Sequence, residues 1–319
     1  MNILVCRTDK LGDFITALPA IYVLKKHNPK NKIIVCVAPI NKDLAYSCEF
    51  IDEVIVDNAQ SIFSLASSFR DAKVDVSVSL FSNTRIAFAQ FLAGIKKRIA
   101  PATKIAQIFY THRVTQRRSE VKMAEFEYNL ELTKEVFSDI DLSYKQPLLS
   151  FDDSKDIYLD FCKKYSISKN VIAFHVGFGG SSDANLNLDE YEILIRDILK
   201  ADKYQVVLTF GPDEVELASE MKERLKDEKV VFYISNDGLV YFAKLVSEFS
   251  LFVSTSTGTY HIASLVGTKT ITFFADTLFA SAKRWKSIGD INLQTHFMLS
   301  SEDGKREKIF EDIRKILVF

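Results

Sequence analysis

The sequence predicts an α/β protein built as two doubly wound domains. Three observations carry that reading. Apolar runs of strand length alternate with segments whose apolar residues recur on a helical period, the pattern of βαβ units and parallel sheets. The alternation runs to about residue 100 and restarts near residue 171. At roughly 100–200 residues per domain, the 319 residues suit about two domains.

The elements follow in order. Residues 2–6 form a short apolar run that reads as a buried strand, and a Gly-containing loop follows it. Residues 13–26 place Phe14, Ile15, Leu18, Ile21, Tyr22 and Leu24 on a helical period. Strands are expected at 32–38, 54–56, 74–80 and 98–100, with helices at 61–70 and 84–92 between them. Residues 146–156, with Pro147 and an acidic cluster, read as a linker. The second series has a strand at 171–175, a Gly/Ser-rich loop at 176–183, a helix at 188–199 and a strand at 205–210. A helix at 212–225 would carry Pro212 in its first turn, where the missing N–H costs nothing. Segments 229–234, 239–249, 251–254, 260–266 and 270–274 continue the series, and 304–317 is a charged amphipathic helix. The expected domains are 1–150 and 151–300, with 301–319 a terminal helix.

Composition narrows the function. Hydrophobic residues make up 47% of the chain and the net charge is −1, which excludes intrinsic disorder. The basic and acidic totals cancel, which argues against bulk nucleic-acid binding. Cys6, Cys36, Cys48 and Cys162 are too few and too far apart for a disulfide scaffold, and no CxxC or histidine pairing suggests a metal site. Cys6 and Cys36 lie in apolar runs and read as core residues. The opening MNILVCRTDKLGD lacks a basic leader followed by a long apolar core, and no uncharged run approaches the roughly 18 residues of a membrane span. A cytoplasmic protein is expected.

Three loops are candidates for chemistry. The first, Arg7 to Asp13, follows the first strand, where open α/β sheets bind ligands. Gly12 would allow a tight turn or a close ligand approach. Asp13, at the helix start, reads either as an N-cap or as a general base, and a carboxylate spent on capping is the weaker base. The second is the run Ser254-Thr255-Ser256-Thr257-Gly258-Thr259-Tyr260-His261, a strand-to-helix turn whose free N–H groups and hydroxyls suit a diphosphate. His261 reads as a phosphate donor or as a structural histidine. The third, from His175 through Gly177, Gly179, Gly180, Ser181 and Ser182, is donor-rich but lacks the third Gly of a dinucleotide fingerprint. Asp139-Ile140-Asp141 reads as surface charge, and no protein-held metal is expected. One charge feature departs from the neutral average. No Asp or Glu occurs from Val76 to Ser119, a window holding Arg85, Lys96, Lys97, Arg98, Lys104, Arg113, Arg117 and Arg118 with the aromatic pair Phe109 and Tyr110. Such a one-sided run suits an anionic partner: a phosphate-bearing lipid, an acidic sugar or a membrane surface.

The segments RTDKLGDFITALPAIYVLKKHNP, IAFHVGFGGSSDANLNLDEYEIL and VSTSTGTYHIASLVGTKTITFF together resemble, in order, three motifs of the ADP-heptose:lipopolysaccharide heptosyltransferases, glycosyltransferase family 9. The resemblance implies a GT-B fold, two Rossmann-like domains facing across a cleft, with the terminal helix packing back on the first. It implies an inverting transfer of heptose from ADP-heptose to the inner core of lipopolysaccharide, with Asp13 as general base and no obligatory cofactor. Ser256, Thr257, Gly258, Thr259 and His261 would hold the donor with Gly177, Gly179, Gly180 and Ser181. The anionic acceptor would meet Arg7, Lys10, Gly12, Lys97, Arg98, Arg117 and Arg118, at the cytoplasmic face of the inner membrane and without any nucleic acid. The chain departs from the family at Ser256, where Asp is usual before Thr-Gly, and at Ala184, where a basic residue is usual. The rival readings are a member using another nucleotide sugar and a non-catalytic sugar-nucleotide binder.

Overall fold

The structure, a computed structural model, describes residues 1–178 and 184–318. The chain divides into two compact units, Met1–Lys145 and Gln146–Phe319. The first contains β1 (Asn2–Arg7), α1 (Leu11–His27), β2 (Lys32–Val37), α2 (Lys42–Tyr46), β3 (Glu53–Val56), α3 (Ile62–Asp71), β4 (Val76–Ser79), α4 (Thr84–Leu92), β5 (Lys97–Pro101), β6 (His112–Val114) and α5 (Glu125–Thr133). Its sheet is parallel, in the order β3-β2-β1-β4-β5-β6. Strands of such a sheet are covered on both faces, so they read as continuous apolar runs rather than alternating ones. Accordingly β1 and β2 are buried along almost their whole length. On one face Leu4, Cys6, Ile34 and Cys36 pack with Leu65 and Phe69 of α3 and Ile86 and Ala89 of α4. Cys6 and Cys36 are register neighbours in this core, the packing role their sequence context predicts.

The second unit contains α6 (Ser154–Tyr165), β7 (Val171–His175), α7 (Leu188–Ala201), β8 (Gln205–Phe210), α8 (Val215–Arg224), β9 (Val230–Ile234), α9 (Gly238–Ser247), β10 (Leu251–Thr255), α10 (Gly258–Leu265), β11 (Thr270–Ala275), α11 (Ala282–Trp285), β12 (Gln294–Leu299) and α12 (Asp303–Val318). Its parallel sheet runs β12-β11-β10-β7-β8-β9. Counted from β7 as the first strand, both sheets have the order 3-2-1-4-5-6, the doubly wound order of Rossmann domains. The predicted α/β class with two Rossmann-like sheets is therefore what the chain forms.

Several local expectations are corrected. The segment 146–156 is no exposed linker: Leu148 and Leu149 are buried, the Leu149 N–H donates to the Leu265 carbonyl at 3.4 Å, and α6 starts at Ser154. Helix α8 begins at Val215, leaving Pro212 in the turn before it. The terminal helix was expected on the first domain. Instead its apolar stripe goes into the second unit's core, where Ile313 and Leu317 are buried with Leu194, Ile195 and Ile198 of α7. Two ion pairs fix this packing, Arg306 with Glu190 at 2.6 Å and Arg314 with Asp197 at 2.7 Å. The sixth strand of each sheet, β6 and β12, has no counterpart in the predicted elements, because neither His112–Val114 nor Gln294–Leu299 is an apolar run.

Candidate active site

In a sheet of this order the connections reverse between the first and fourth strands, and ligands bind beyond the carboxyl ends at that switch point. In the first unit the switch lies between β1 and β4. Strand β1 ends in Arg7, whose side chain is only 2% exposed. A buried guanidinium is tolerated only when fully paired, and here every nitrogen is engaged. Nε donates to Asp9 at 2.8 Å, and Nη2 donates to Oδ1 of Asp13. Nη1 donates to Glu125 at 3.4 Å and to the Leu80 carbonyl at 3.5 Å. Arg118 donates to the same Glu125 oxygen and to Gln116, with its guanidinium over the Tyr128 ring. Burial acts to lower the Arg7 pKa, but Asp9, Asp13 and Glu125 outweigh it and hold the pKa above its ordinary value. Burial pushes the Asp9 carboxyl up to about 6 against the pull of Arg7, and the Asp13 charge adds to the rise.

The helix boundary bears on one of the two readings of Asp13, the N-cap. Lys10, not Asp13, occupies the N-cap position of α1, and the Phe14 N–H donates to the Lys10 carbonyl at 3.1 Å. Asp13 is the third residue of the helix, and its carboxylate is held by Arg7 with 19% of the side chain exposed. The capping alternative is thus corrected. So is the tight turn expected at Gly12, which lies inside the first turn of α1. Arg7 and Arg118, expected to contact the acceptor, are consumed within the network. Lys97 and Arg98 are displaced for a topological reason. Lys97 pairs with Val76, which pairs with Ile3, four residues before Arg7. At about 3.3 Å per residue this puts Lys97 roughly 13 Å, and Arg98 roughly 10 Å, back along the strand direction from Arg7, toward the amino edge of the sheet. Arg98 is also turned inward, donating to the carbonyls of Phe109 and Ile95. Lys10 and Arg117 stay exposed at the carboxyl edge, Arg117 pairing with Glu120 at 3.4 Å. Sequence reasoning missed Asp9 and Glu125. Asp9 stands beside the motif and was legible there. Glu125 lies 118 residues from Arg7 and carries no local signal.

In the second unit the switch lies between β7 and β10. The turn after β10 is anchored by the Ser256 N–H on the Phe273 carbonyl at 3.0 Å. Thr257 is the extended N-cap residue of α10; its side chain does not cap the helix but lies 2.8 Å from the Thr259 hydroxyl. The first N–H groups of α10 and these two hydroxyls therefore face the carboxyl edge of the sheet. His261 is buried and bonded through Nδ1 to Ser287 at 2.9 Å, and burial lowers its pKa to about 3. Gly177 has a packing reason: a Cβ there would lie 1.9 Å from the Glu214 carboxylate. Glu214 accepts from the Gly211 N–H at 2.7 Å and lies 3.7 Å from His175, whose pKa burial lowers. Sequence reasoning gave Glu214 no place beside this loop, since a helix-start Glu has a common structural explanation. The carbonyl of Ala184 accepts from the Thr255 hydroxyl. Gly179, Gly180 and Ser181 lie outside the described residues.

Asp141 of the DxD sequence is an exposed carboxylate held well below the usual range by Lys26, with which it pairs at 2.7 Å. Among the described residues no group of three or more His, Cys, Asp or Glu is arranged to hold a metal ion. No helix among them is long and apolar enough to cross a membrane.

The model of glycosyltransferase family 9 (heptosyltransferase) matches residues 62–311. The chain belongs to glycosyltransferase family 9. A Haemophilus influenzae protein named "Putative glycosyltransferase" is 39% identical over 97% of this chain and 91% of its own. Lipooligosaccharide heptosyltransferase 2 of Campylobacter jejuni is 24% identical over 99% of each chain. In fold, the family 9 chain matches the E. coli ADP-heptose LPS heptosyltransferase II with a TM-score of 0.81 at 16% identity, covering 100% of this chain and 99% of that one. The family 9 protein is a glycosyltransferase of GT-B type.

Proposed function

We propose that the protein transfers heptose from ADP-heptose to the inner core of a lipopolysaccharide or lipooligosaccharide, with inversion at the anomeric carbon. The observation that carries this reading is a carboxylate, Asp13, held by a buried arginine at the switch point of the first unit in a family 9 chain. In the proposed step Asp13 accepts the proton of an acceptor hydroxyl while its oxygen attacks the anomeric carbon. The bond from that carbon to the diphosphate breaks, and ADP leaves from the opposite face with the bonding electrons. Charge grows on the diphosphate as it leaves. The N–H groups at the start of α10, with the hydroxyls of Thr257 and Thr259, are suited to stabilise it. Ser256 and Gly258 would line the same turn, and the Glu214 carboxylate suits a ribose hydroxyl. Lys10 and Arg117 are the exposed cations suited to an anionic acceptor.

The supporting relatives are the Campylobacter lipooligosaccharide heptosyltransferase and the E. coli ADP-heptose enzyme. The test is product formation from ADP-heptose and a Kdo-containing lipid acceptor, followed by mass spectrometry. A heptosylated product is expected, and its absence with an active control enzyme overturns the assignment. Ser256 and Ala184 support a second reading, a different nucleotide sugar as donor. Competition among ADP, UDP and GDP in thermal shift separates the two.

A further inference from the structure

The first unit carries an apolar surface that neither its core nor the proposed site explains. The 3₁₀ segment Ile105–Phe109 links β5 to β6. At three residues per turn, positions i and i+3 eclipse, so Ile105 and Ile108 share one side. They are 71% and 66% exposed. Phe109 of the same segment packs on Phe88 and Phe91 of α4, and Phe91 is 50% exposed. Large apolar side chains grouped on a surface mark an interaction site.

Charge identifies the partner. Lys96 follows the end of α4, Lys104 adjoins the 3₁₀ segment and Arg113 lies on β6 just after it; all three are exposed and none is in an ion pair with a described residue. Arg113 pairs with Ala100 on the edge strand β6, and partnered residues of parallel strands point to the same face. Ala100 packs with Ala87 and Ala106, so Arg113 lies on the side of α4 and the 3₁₀ segment. No acidic residue occurs from Val76 to Ser119, so nothing in the stretch neutralises these cations from within. A second copy of the chain is a poor occupant, because a two-fold interface would set the same cations against each other. The patch is also continuous with the proposed site. Lys104 Nζ lies 4.1 Å above the Phe81 ring, and the Arg7 guanidinium lies 5.7 Å from the same ring.

We propose that this surface docks on an anionic phospholipid bilayer, with Phe91, Ile105 and Ile108 entering the headgroup region and Lys96, Lys104 and Arg113 meeting lipid phosphates. Docking so would bring a lipid-borne acceptor beside the Asp13 network; that benefit rests on the proposed function, whereas the docking itself does not. Basic residues near an anionic membrane and apolar side chains at its interface act together in this way.

Co-sedimentation of the full chain with phosphatidylcholine vesicles, with and without phosphatidylglycerol, tests the proposal. Binding is expected only with phosphatidylglycerol and should weaken with added salt. The paired change Ile105→Ser with Ile108→Ser should reduce binding roughly tenfold or more. Lys96→Gln and Arg113→Gln should each reduce it about fivefold. All of these side chains are exposed, so unchanged thermal unfolding should show that the variants fold. Equal binding to neutral vesicles overturns the proposal, as do variants that bind like the parent, efficient displacement by single-stranded RNA, or self-association abolished by the same changes. Failure of vesicle binding with turnover intact would leave the catalytic reading standing. Vesicle binding without glycosyl transfer would do the reverse.

Discussion

At the scale of single residues, the first unit's chemistry is organised around one buried cation. Arg7 holds Asp9, Asp13 and Glu125, and Arg118 supports Glu125 from the other side. Its role is therefore to position Asp13. Asp13→Asn keeps the shape of the side chain and removes the proposed base, so turnover should fall by about 10²–10⁴-fold. The shift in unfolding temperature on adding ADP should be unchanged in that variant, and steady-state kinetics with thermal shift would check both. Asp9 predicts a pH effect. Its folded-state pKa of about 6 is above its ordinary value, so its contribution to stability is present at low pH and is lost as pH rises through about 6. The Tm of the parent relative to Asp9→Asn should therefore fall as pH rises from about 4 to about 6 and level off above. A difference that stays level across that range would contradict the assigned burial of Asp9. Asp13 was legible, and Asp9 could have been, because the two lie four residues apart in one short segment. Glu125 was not, because only the packing of α5 on α1 brings it to Arg7.

At the scale of elements, the strands and helices with clean apolar runs could be read from the chain, and the misread ones have identifiable causes. Helix α1 starts before Asp13: Lys10 holds the N-cap position, and the Asp13 carboxylate is bonded to Arg7. Strand β6 escaped notice because an edge strand of three residues, His112–Val114, needs no apolar pattern. The terminal helix was correctly read as amphipathic, but a stripe of apolar residues does not name its partner. The structure makes it a second-unit element. Ile313→Ala should therefore cost about 2–5 kcal/mol, measured by urea unfolding, because Ile313 is fully buried against α7 and the sheet. A negligible loss would show that the helix is not part of that core.

At the scale of the whole molecule, one strand order occurs twice, and each sheet presents a loop beyond its own switch point. The first presents the carboxylate proposed as base and the second the turn proposed to hold the donor diphosphate, so the two proposed functions should be separable by mutation. Thr257→Val with Thr259→Val should diminish stabilisation by ADP, which at a hundred times Kd is worth about 2.7 kcal/mol in a protein with an intact site. Asp13→Asn should retain it, and differential scanning calorimetry would show whether the two responses divide in this way. The sequence by itself determined the α/β class, the two series of elements, the loops that end β1 and β10, and the family. Those features are local: a period, a loop after a strand, a motif of adjacent residues. Only the tertiary structure decided which cations belong to which surface. Eight basic residues in one acid-free stretch read as a single patch along the chain. Folding sends Arg118 into a buried ion pair, turns Arg98 onto backbone carbonyls, and leaves Lys96, Lys104 and Arg113 exposed, as it does Phe91 and Ile108. A parallel sheet separates the two ends of each strand by its full length, so residues that are neighbours in sequence come to face different partners.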